Sequence, residues 1–419
     1  MEIIKLLLKL FYYVIDIFII LYAAYYVLTG LFAFLNKKNA IRKYKPKHKL
    51  AVIIAARNEE KVIPHLLDSL NKQNYPKELY DVFVIPNNCS DRTKEVSLEK
   101  CAKIIECSEK VGSKGDVLKF TFEYMDKKHN EYDAYVIFDA DNIVHPEFLR
   151  RMNDALCSGF KVAQGYRDSK NPSDSWISCC YSLFYLIQNY FFNQARMNMG
   201  WSSSINGTGF MISKEVIEKN GFNTVTITED IEFAAQCALN NERIAFVKDA
   251  ITYDEQPLTF SQSWKQRKRW SMGTFQCLGT YFNKLIVTGF TKRIPQSMDM
   301  ALFFLAPIIQ LLATLIVIML ALYNLVDIQV SDIFKYAYDN KVFSIFLGYF
   351  ASVFLALFVV IMEKKTIRRT IKGILTLSIF MLTWVPINIM CLIKRDYIWE
   401  PIEHNRTVDI ESIVELRCK

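Results

Sequence analysis

The sequence predicts an α/β domain with a mostly parallel sheet, fused to membrane-spanning helices. Three observations predict it. Short apolar runs, each ending in a polar loop and followed by a helical pattern, recur through the first part of the region from Leu50 onward. Apolar stretches of about 20 residues or more, enough to cross a ~30 Å hydrocarbon core, lie on both sides of that region. Of the 419 residues, 52% are hydrophobic and 22% charged. That is too apolar for an ordinary soluble enzyme and too charged for a pure membrane bundle.

The elements follow in order. Leu6 to Leu35 is apolar apart from Lys9 and Asp16, and it far exceeds the roughly 7–15 residues of a signal-peptide core. Residues 1–36 are therefore expected to form a transmembrane helix. Asn36 to Lys49 then holds Lys37, Lys38, Arg42, Lys43, Lys45, Lys47 and Lys49 with no acid. Following an apolar segment, this run reads as a cytosolic membrane flank rather than a nucleic-acid site. Residues 48–290 are expected to form the cytosolic domain. Leu50 to Ala55, Tyr80 to Ile85 and Tyr135 to Phe138 are its buried strands, with helices from Val62 and from Thr93 to Ala102. Trp176 to Phe192 fits either a helix lying on the membrane surface or a core helix.

Residues 296–394 contain three further apolar segments, Met298 to Val326, Val342 to Met362 and Ile374 to Ile393. The loop with Asp327, Asp332 and Asp339 is expected outside. The loop with Lys364, Lys365, Arg368, Arg369 and Lys372 is expected inside. One full crossing by the last segment would put Lys394 and Arg395 outside, against their charge. A break near Pro386 resolves the conflict and leaves a cytosolic tail at 395–419. The ten cysteines include no Cys-x-x-Cys, and the five histidines are dispersed. The cysteines read as reduced small hydrophobes.

Chemistry concentrates in three clusters. Asp139-Ala140-Asp141 closes a buried apolar run. In extended backbone the two carboxylates point to one side, where one or both can take a hard divalent cation. Capping aspartates in a solvated turn are the plainer alternative. Thr228-Glu229-Asp230 opens an apolar helical pattern. Asp230 is either a general base or an acid favoured by the helix dipole, with Thr228 as N-cap. Gln266, Arg269 and Trp270 share one helix face at i, i+3 and i+4, an amide, a guanidinium and an indole suited to a sugar phosphate. Lys265, Arg267 and Lys268 read instead as a basic membrane-interface face.

This succession of boxes resembles family 2 glycosyltransferases, the inverting group with the A-type glycosyltransferase fold. The boxes Asp-x-Asp, Thr-Glu-Asp and Gln-x-x-Arg-Trp resemble those of membrane-bound β-glycan synthases such as cellulose, hyaluronan and chitin synthases. Gln164-Gly165-Tyr166-Arg167, Asn171 to Trp176 and Tyr253-Asp254-Glu255-Gln256-Pro257 are similar to the bacterial exopolysaccharide branch. The resemblance spans about Ala51 to Gly273. It implies donor-binding roles for Ala55, Arg57, Glu59, Asp91, Lys114, Asp139 and Arg269, and a metal ligand in Asp141. It implies an acceptor site at Gly207, Thr208, Gly209, Gln266 and Trp270, and catalysis by Asp230 beside Glu229. Asn87-Asn88 departs from the paired aspartates of many relatives.

The implied enzyme uses Mg²⁺ or Mn²⁺. It moves a hexose from UDP-glucose or UDP-N-acetylglucosamine to a growing β-linked polysaccharide at the inner face of the plasma membrane. Its partners are the UDP-sugar, a glycan or lipid acceptor and membrane lipids, with no nucleic acid. A nonprocessive lipid glycosyltransferase is the nearest alternative, and an inactive export or scaffold subunit a further one.

Overall fold

The computed structural model describes residues 2–35, 40–107, 111–326, 340–393 and 406–407. Its centre is an eight-stranded sheet: β1 (Leu50–Ala56), β2 (Tyr80–Pro86), β3 (Lys103–Ile104), β4 (Ala134–Asp139), β5 (Ile143–Val144), β6 (Val162–Ser169), β7 (Phe210–Ser213) and β8 (Ile244–Asp254). The strand order is β3-β2-β1-β4-β7-β6-β8-β5. Four pairings are parallel (β1–β2, β1–β4, β2–β3, β6–β8). Three are antiparallel (β4–β7, β6–β7, β5–β8). The sheet is thus mixed and mostly parallel, as expected.

Register decides where a site can lie. Ala55 stands opposite both Ile85 and Asp139, so β1, β2 and β4 end at one edge. The strand β7 runs antiparallel to β4, with Phe210 opposite Ile137. Its preceding turn therefore meets the end of β4. The strands β6 and β8 run parallel to β4 and finish at the same edge, with Ser169 opposite Asp254. An open sheet places ligands at such an edge.

Strands such as β1 and β4 read as unbroken apolar runs because both sheet faces are covered. Leu50, Val52 and Ile54 pack with Leu66, Phe148 and Met152 on one face. Ala51 and Ile53 pack with Leu118, Phe122 and Phe233 on the other. Boundaries differ modestly from expectation. The short β3 makes Tyr135–Phe138 part of a fourth strand, and the helix from Thr93 ends at Glu99.

Among the described residues, four helices are long and apolar enough to cross a membrane, within Leu10–Phe34, Pro295–Ile318, Val342–Met362 and Ile367–Ile393. The last divides at Thr383 into Ile367–Leu382 and Trp384–Ile393. Pro386 falls in the first turn of the second piece, where proline is tolerated. The basic loop is shorter than expected, since Arg368, Arg369 and Lys372 already lie on the Ile367–Leu382 helix. The loop at Asp327, Asp332 and Asp339 lies outside the described residues.

Between sheet and apolar helices sits the Trp176–Ile187 helix, nine of whose residues are buried. It packs as a core helix. A Cβ at Gly373 would sit 2.6 Å from Cys179 Sγ, so the Ile367–Leu382 helix approaches it closely. Arg267 corrects its sequence reading as an interface cation. It is fully buried and donates to Phe380 O at 3.0 Å and to Thr383 Oγ1 at 2.7 Å. Helix ends leave carbonyls without intrahelical partners, and Arg267 satisfies one where the last segment divides.

Within the tail, Arg406 reaches the domain: its N–H donates to Glu255 Oε2 at 3.0 Å, and its carbonyl accepts from Lys170 at 3.1 Å. Trp399 to Asn405 lies outside the described residues.

Candidate active site

The site forms where the ends of β4 and β6, the turn before β7 and two helix starts converge. Ser113 caps the Lys114–Lys128 helix through a capping box with Asp116. That fixes Lys114 at the first position, facing the sheet edge. Its ammonium pairs with Asp139, donates to Gly207 O at 2.6 Å and lies 3.9 Å from Glu229. Burial alone would lower the Lys114 pKa, but Asp139, Glu229 and Asp230 outweigh it and raise it.

The turn 206–209 is built for close approach. Gly207 and Gly209 have φ of +77° and +62°, a region that favours glycine. A Cβ at Gly207 would stand 3.2 Å from Asp230 Oδ2, and one at Gly209 would stand 2.6 Å from Thr252 Cγ2. Thr208 Oγ1 accepts from the Asp139 N–H at 3.0 Å and donates to Asn142. Gln164 accepts from the Asn206 N–H at 2.9 Å and donates to Thr208 O at 3.0 Å.

Glu229 and Asp230 open the Glu229–Leu239 helix. Thr228 is its N-cap residue but makes no side-chain cap bond. Its side chain packs instead on Gly273, where a Cβ would come within 2.0 Å of Thr228 Oγ1. This contact seats the acidic helix start on the Phe260–Thr291 helix that carries Gln266, Arg269 and Trp270. Burial pushes Glu229 up to about 7, with Asp230 adding to it and Lys114 and Arg269 opposing. Burial likewise raises Asp230, against a bond from the Ile231 N–H and the charges of Lys114, Arg269 and Arg167.

Asp141 is buried, and its carboxylate accepts from the Glu255 N–H at 3.0 Å and the Asn142 amide at 3.4 Å. Among the described residues no group of three His, Cys, Asp or Glu side chains could hold a metal ion. A cation here would need oxygens from a ligand beside Asp141. That fits a hard ion bound through one or two carboxylates plus phosphates.

The remaining expected residues divide into two sets. Ala55 lies opposite Asp139, whereas Arg57, Glu59 and Asp91 lie on the loops after β1 and β2. Asp91 accepts from Thr93 Oγ1 at 2.6 Å and from the Glu60 N–H at 3.0 Å, so its carboxylate clips the two loops together. Burial would raise its pKa, but those bonds outweigh it and lower it. Gln266 has a buried Oε1 with no hydrogen-bond partner. The Trp270 ring packs among Tyr181, Phe184, Tyr185 and Trp384, stacked on Phe184 and Trp384.

Residue-by-residue reasoning gave Arg167, Asn142 and Gln164 no role, yet all three join this network. Arg167 pairs with Asp254 and lies 4.1 Å from the Tyr185 ring centroid. Asp254 is pushed up to about 6 by burial, with Arg167 opposing and Asp141 adding to it. For Gln164, Arg167 and Asp254 the signal was available, because the Gln164-to-Arg167 and Tyr253-to-Pro257 boxes contain them.

The mixed, mostly parallel sheet with its site at the edge where β1, β2 and β4 end has the A-type glycosyltransferase fold. Residues 46–273, more than half the chain, match the family described as Glycosyltransferase like family 2, and the chain belongs to that family. It is 23% identical over 55% of its length to a beta-monoglucosyldiacylglycerol synthase of Synechocystis sp., covering 49% of that protein. It is 21% identical to the poly-beta-1,6-N-acetyl-D-glucosamine synthase of Staphylococcus epidermidis, covering 86% of this chain and 87% of that one. A mannosyltransferase from Pyrobaculum calidifontis, solved with GDP-Man and Mn²⁺, shares the fold. Its TM-score is 0.57 at 16% identity, covering 90% of this chain and 98% of that one. The chain spans about half the length of the first curated relatives it matches.

Proposed function

We propose that the chain is a membrane-anchored inverting glycosyltransferase. It transfers a hexose from a UDP-sugar, glucose or N-acetylglucosamine, to a growing β-linked polysaccharide at the cytosolic face of the plasma membrane. One observation carries this reading. The carboxylate of Asp230 faces the Gly207 turn, across Lys114 from Asp139 at the end of β4. In this reading Asp230 is placed to act as base on the acceptor side, with Asp139 on the donor side. The likeness to the poly-beta-1,6-N-acetyl-D-glucosamine synthase extends through the apolar helices and favours a polymer product.

In this reading Asp230 takes the proton of the acceptor hydroxyl, which attacks the anomeric carbon from the face opposite the leaving UDP. An α-linked donor then gives a β-linked product. Arg269 stabilises the departing diphosphate, and Asp139 orients the nucleotide. Gln266 and Trp270 hold the acceptor, the amide by its unpartnered oxygen and the indole from within its aromatic group. Mg²⁺ or Mn²⁺, held by Asp141 together with the diphosphate, would neutralise charge on the leaving group. The structural relative's Mn²⁺ supports such an ion.

A second reading, a single transfer to a lipid, is favoured by the likeness to the glucosyldiacylglycerol synthase. Purified full-length protein incubated with labelled UDP-glucose or UDP-N-acetylglucosamine separates the two. The expected product from one donor is a polymer that a β-specific glycosidase degrades. A single-sugar, chloroform-soluble product would establish the lipid reading, and no UDP release from any donor would refute both.

Topology gives an independent expectation. In a cysteine-free background, Asp332→Cys should react with an impermeant thiol reagent on intact cells and Glu411→Cys should not. Labelling at position 411 would place the tail outside and remove its proposed cytosolic position.

A further inference from the structure

We propose that Arg167 is a positioning residue: it pins the Asn206–Gly209 turn against Asp230 and supplies a fixed positive charge behind that carboxylate. The proposal rests on the reading of Asp230 as the base, and it adds a residue which that reading does not use.

The geometry begins at the end of β6. Arg167 is paired in register with Thr252, two residues before Asp254 on β8. Its side chain is 11% exposed and that of Asp254 is 3% exposed. A buried guanidinium must place its donors or lose solvation without return. Nε donates to Asp254 Oδ2 at 2.7 Å, and Nη2 donates to the same oxygen. The Tyr185 ring covers one face of the guanidinium. A self-contained structural pair would need nothing more. Yet Nη1 reaches across to the Asn206 carbonyl at 2.8 Å.

That carbonyl belongs to the peptide joining Asn206 to Gly207. The next carbonyl, of Gly207, is held by Lys114 at 2.6 Å. Two cations from different elements therefore fix successive carbonyls of one turn. Asp230 Oδ2 lies against the residue between them. Release of the Asn206 carbonyl would free the turn that sets the position of Asp230 relative to an acceptor.

Charge completes the argument. The groups whose charge bears on Asp230 are Glu229 on its own helix, Lys114 on the Lys114–Lys128 helix, Arg269 and Cys277 on the Phe260–Thr291 helix, Tyr185 on the Trp176–Ile187 helix and Arg167 on β6. Lys114 is committed to Asp139, and Arg269 lies on the face proposed to meet the substrates. Arg167 is held in place by Asp254 and does not deprotonate in proteins, so its charge is fixed. It opposes the rise that burial imposes on Asp230.

The test compares the pH profile of transfer by the purified full chain and three variants. Arg167→Met removes charge and hydrogen bonds, Arg167→Gln keeps an amide donor, and Arg167→Lys keeps the charge. Loss of the cation should move the acid limb up by about one pH unit. On the acid limb, below the displaced midpoint, transfer should then fall by up to about tenfold in Arg167→Met, with the deficit narrowing as pH rises. Arg167→Gln should show the same displaced limb, so the test stands if the methionine variant does not fold. Arg167→Lys should keep the limb in place. A uniform loss at all pH values with an unmoved limb would assign Arg167 to folding alone and overturn the proposal. Asp230→Asn separates the two ideas. If that variant keeps the wild-type limb, the base assignment fails. If it abolishes transfer while the Arg167 variants leave the limb unmoved, only the present inference fails.

Discussion

Asp230→Asn is expected to bind the UDP-sugar normally and to lose transfer by about 10²–10⁴-fold, the usual effect of removing a general base. The amide preserves the shape of the carboxylate beside Gly207, so the turn need not move. What it lacks is the capacity to take a proton. The same argument fixes the pH dependence of the wild type. A base works in its ionised form. Burial raises Asp230, and Glu229 beside it is pushed up to about 7. Transfer should therefore fall on acidification through a limb above the ordinary carboxylate range, and it should be fully restored on return to neutral pH. Donor binding measured by calorimetry alongside turnover checks both points. Near-normal turnover by the variant would remove Asp230 from the reaction.

Much of this site could be read before any coordinate, and the physical reasons differ by residue. The strands β1, β2 and β4 announce themselves because both faces are buried, so each is an apolar run that stops at a polar loop. The edge carrying Asp139 follows directly. The β7 strand is only four residues long, too short for its pattern to reveal that it runs antiparallel. Yet that reversal is what brings Gly207 to Asp139. Helical spacing puts Gln266, Arg269 and Trp270 on one face and Arg267 on another. It cannot reveal that another apolar helix ends against Arg267 and turns a surface cation into a buried one. Asp91 exposes a different limit. An aspartate before a helix serves equally as a ligand group or as a turn bond to the backbone, and the bonds to Thr93 and Glu60 appear only in three dimensions.

Removal of divalent metal is expected to abolish transfer, with Mg²⁺ or Mn²⁺ restoring it. A nucleoside diphosphate leaves as a concentrated negative charge. Lys114 is engaged by Asp139 and Glu229, which offset its charge. The described residues contain no group of three acidic, histidine or cysteine ligands. An ion would therefore bind through Asp141 and the donor's own phosphates. Two consequences follow. Metal affinity should be weak without UDP and tighten when it is added, as titration with Mn²⁺ followed by electron paramagnetic resonance would show. Asp141→Asn should raise the metal concentration needed for half-maximal transfer by at least about 10–100-fold, the range seen when only a supporting partner of a metal ligand is lost. The Glu255 N–H already orients this carboxylate at 3.0 Å. An amide there would keep one oxygen for that bond but lose the negative charge that holds the ion. Full activity in excess chelator would show that the diphosphate leaves without a metal, and the stabilising charge would then have to come from Arg269.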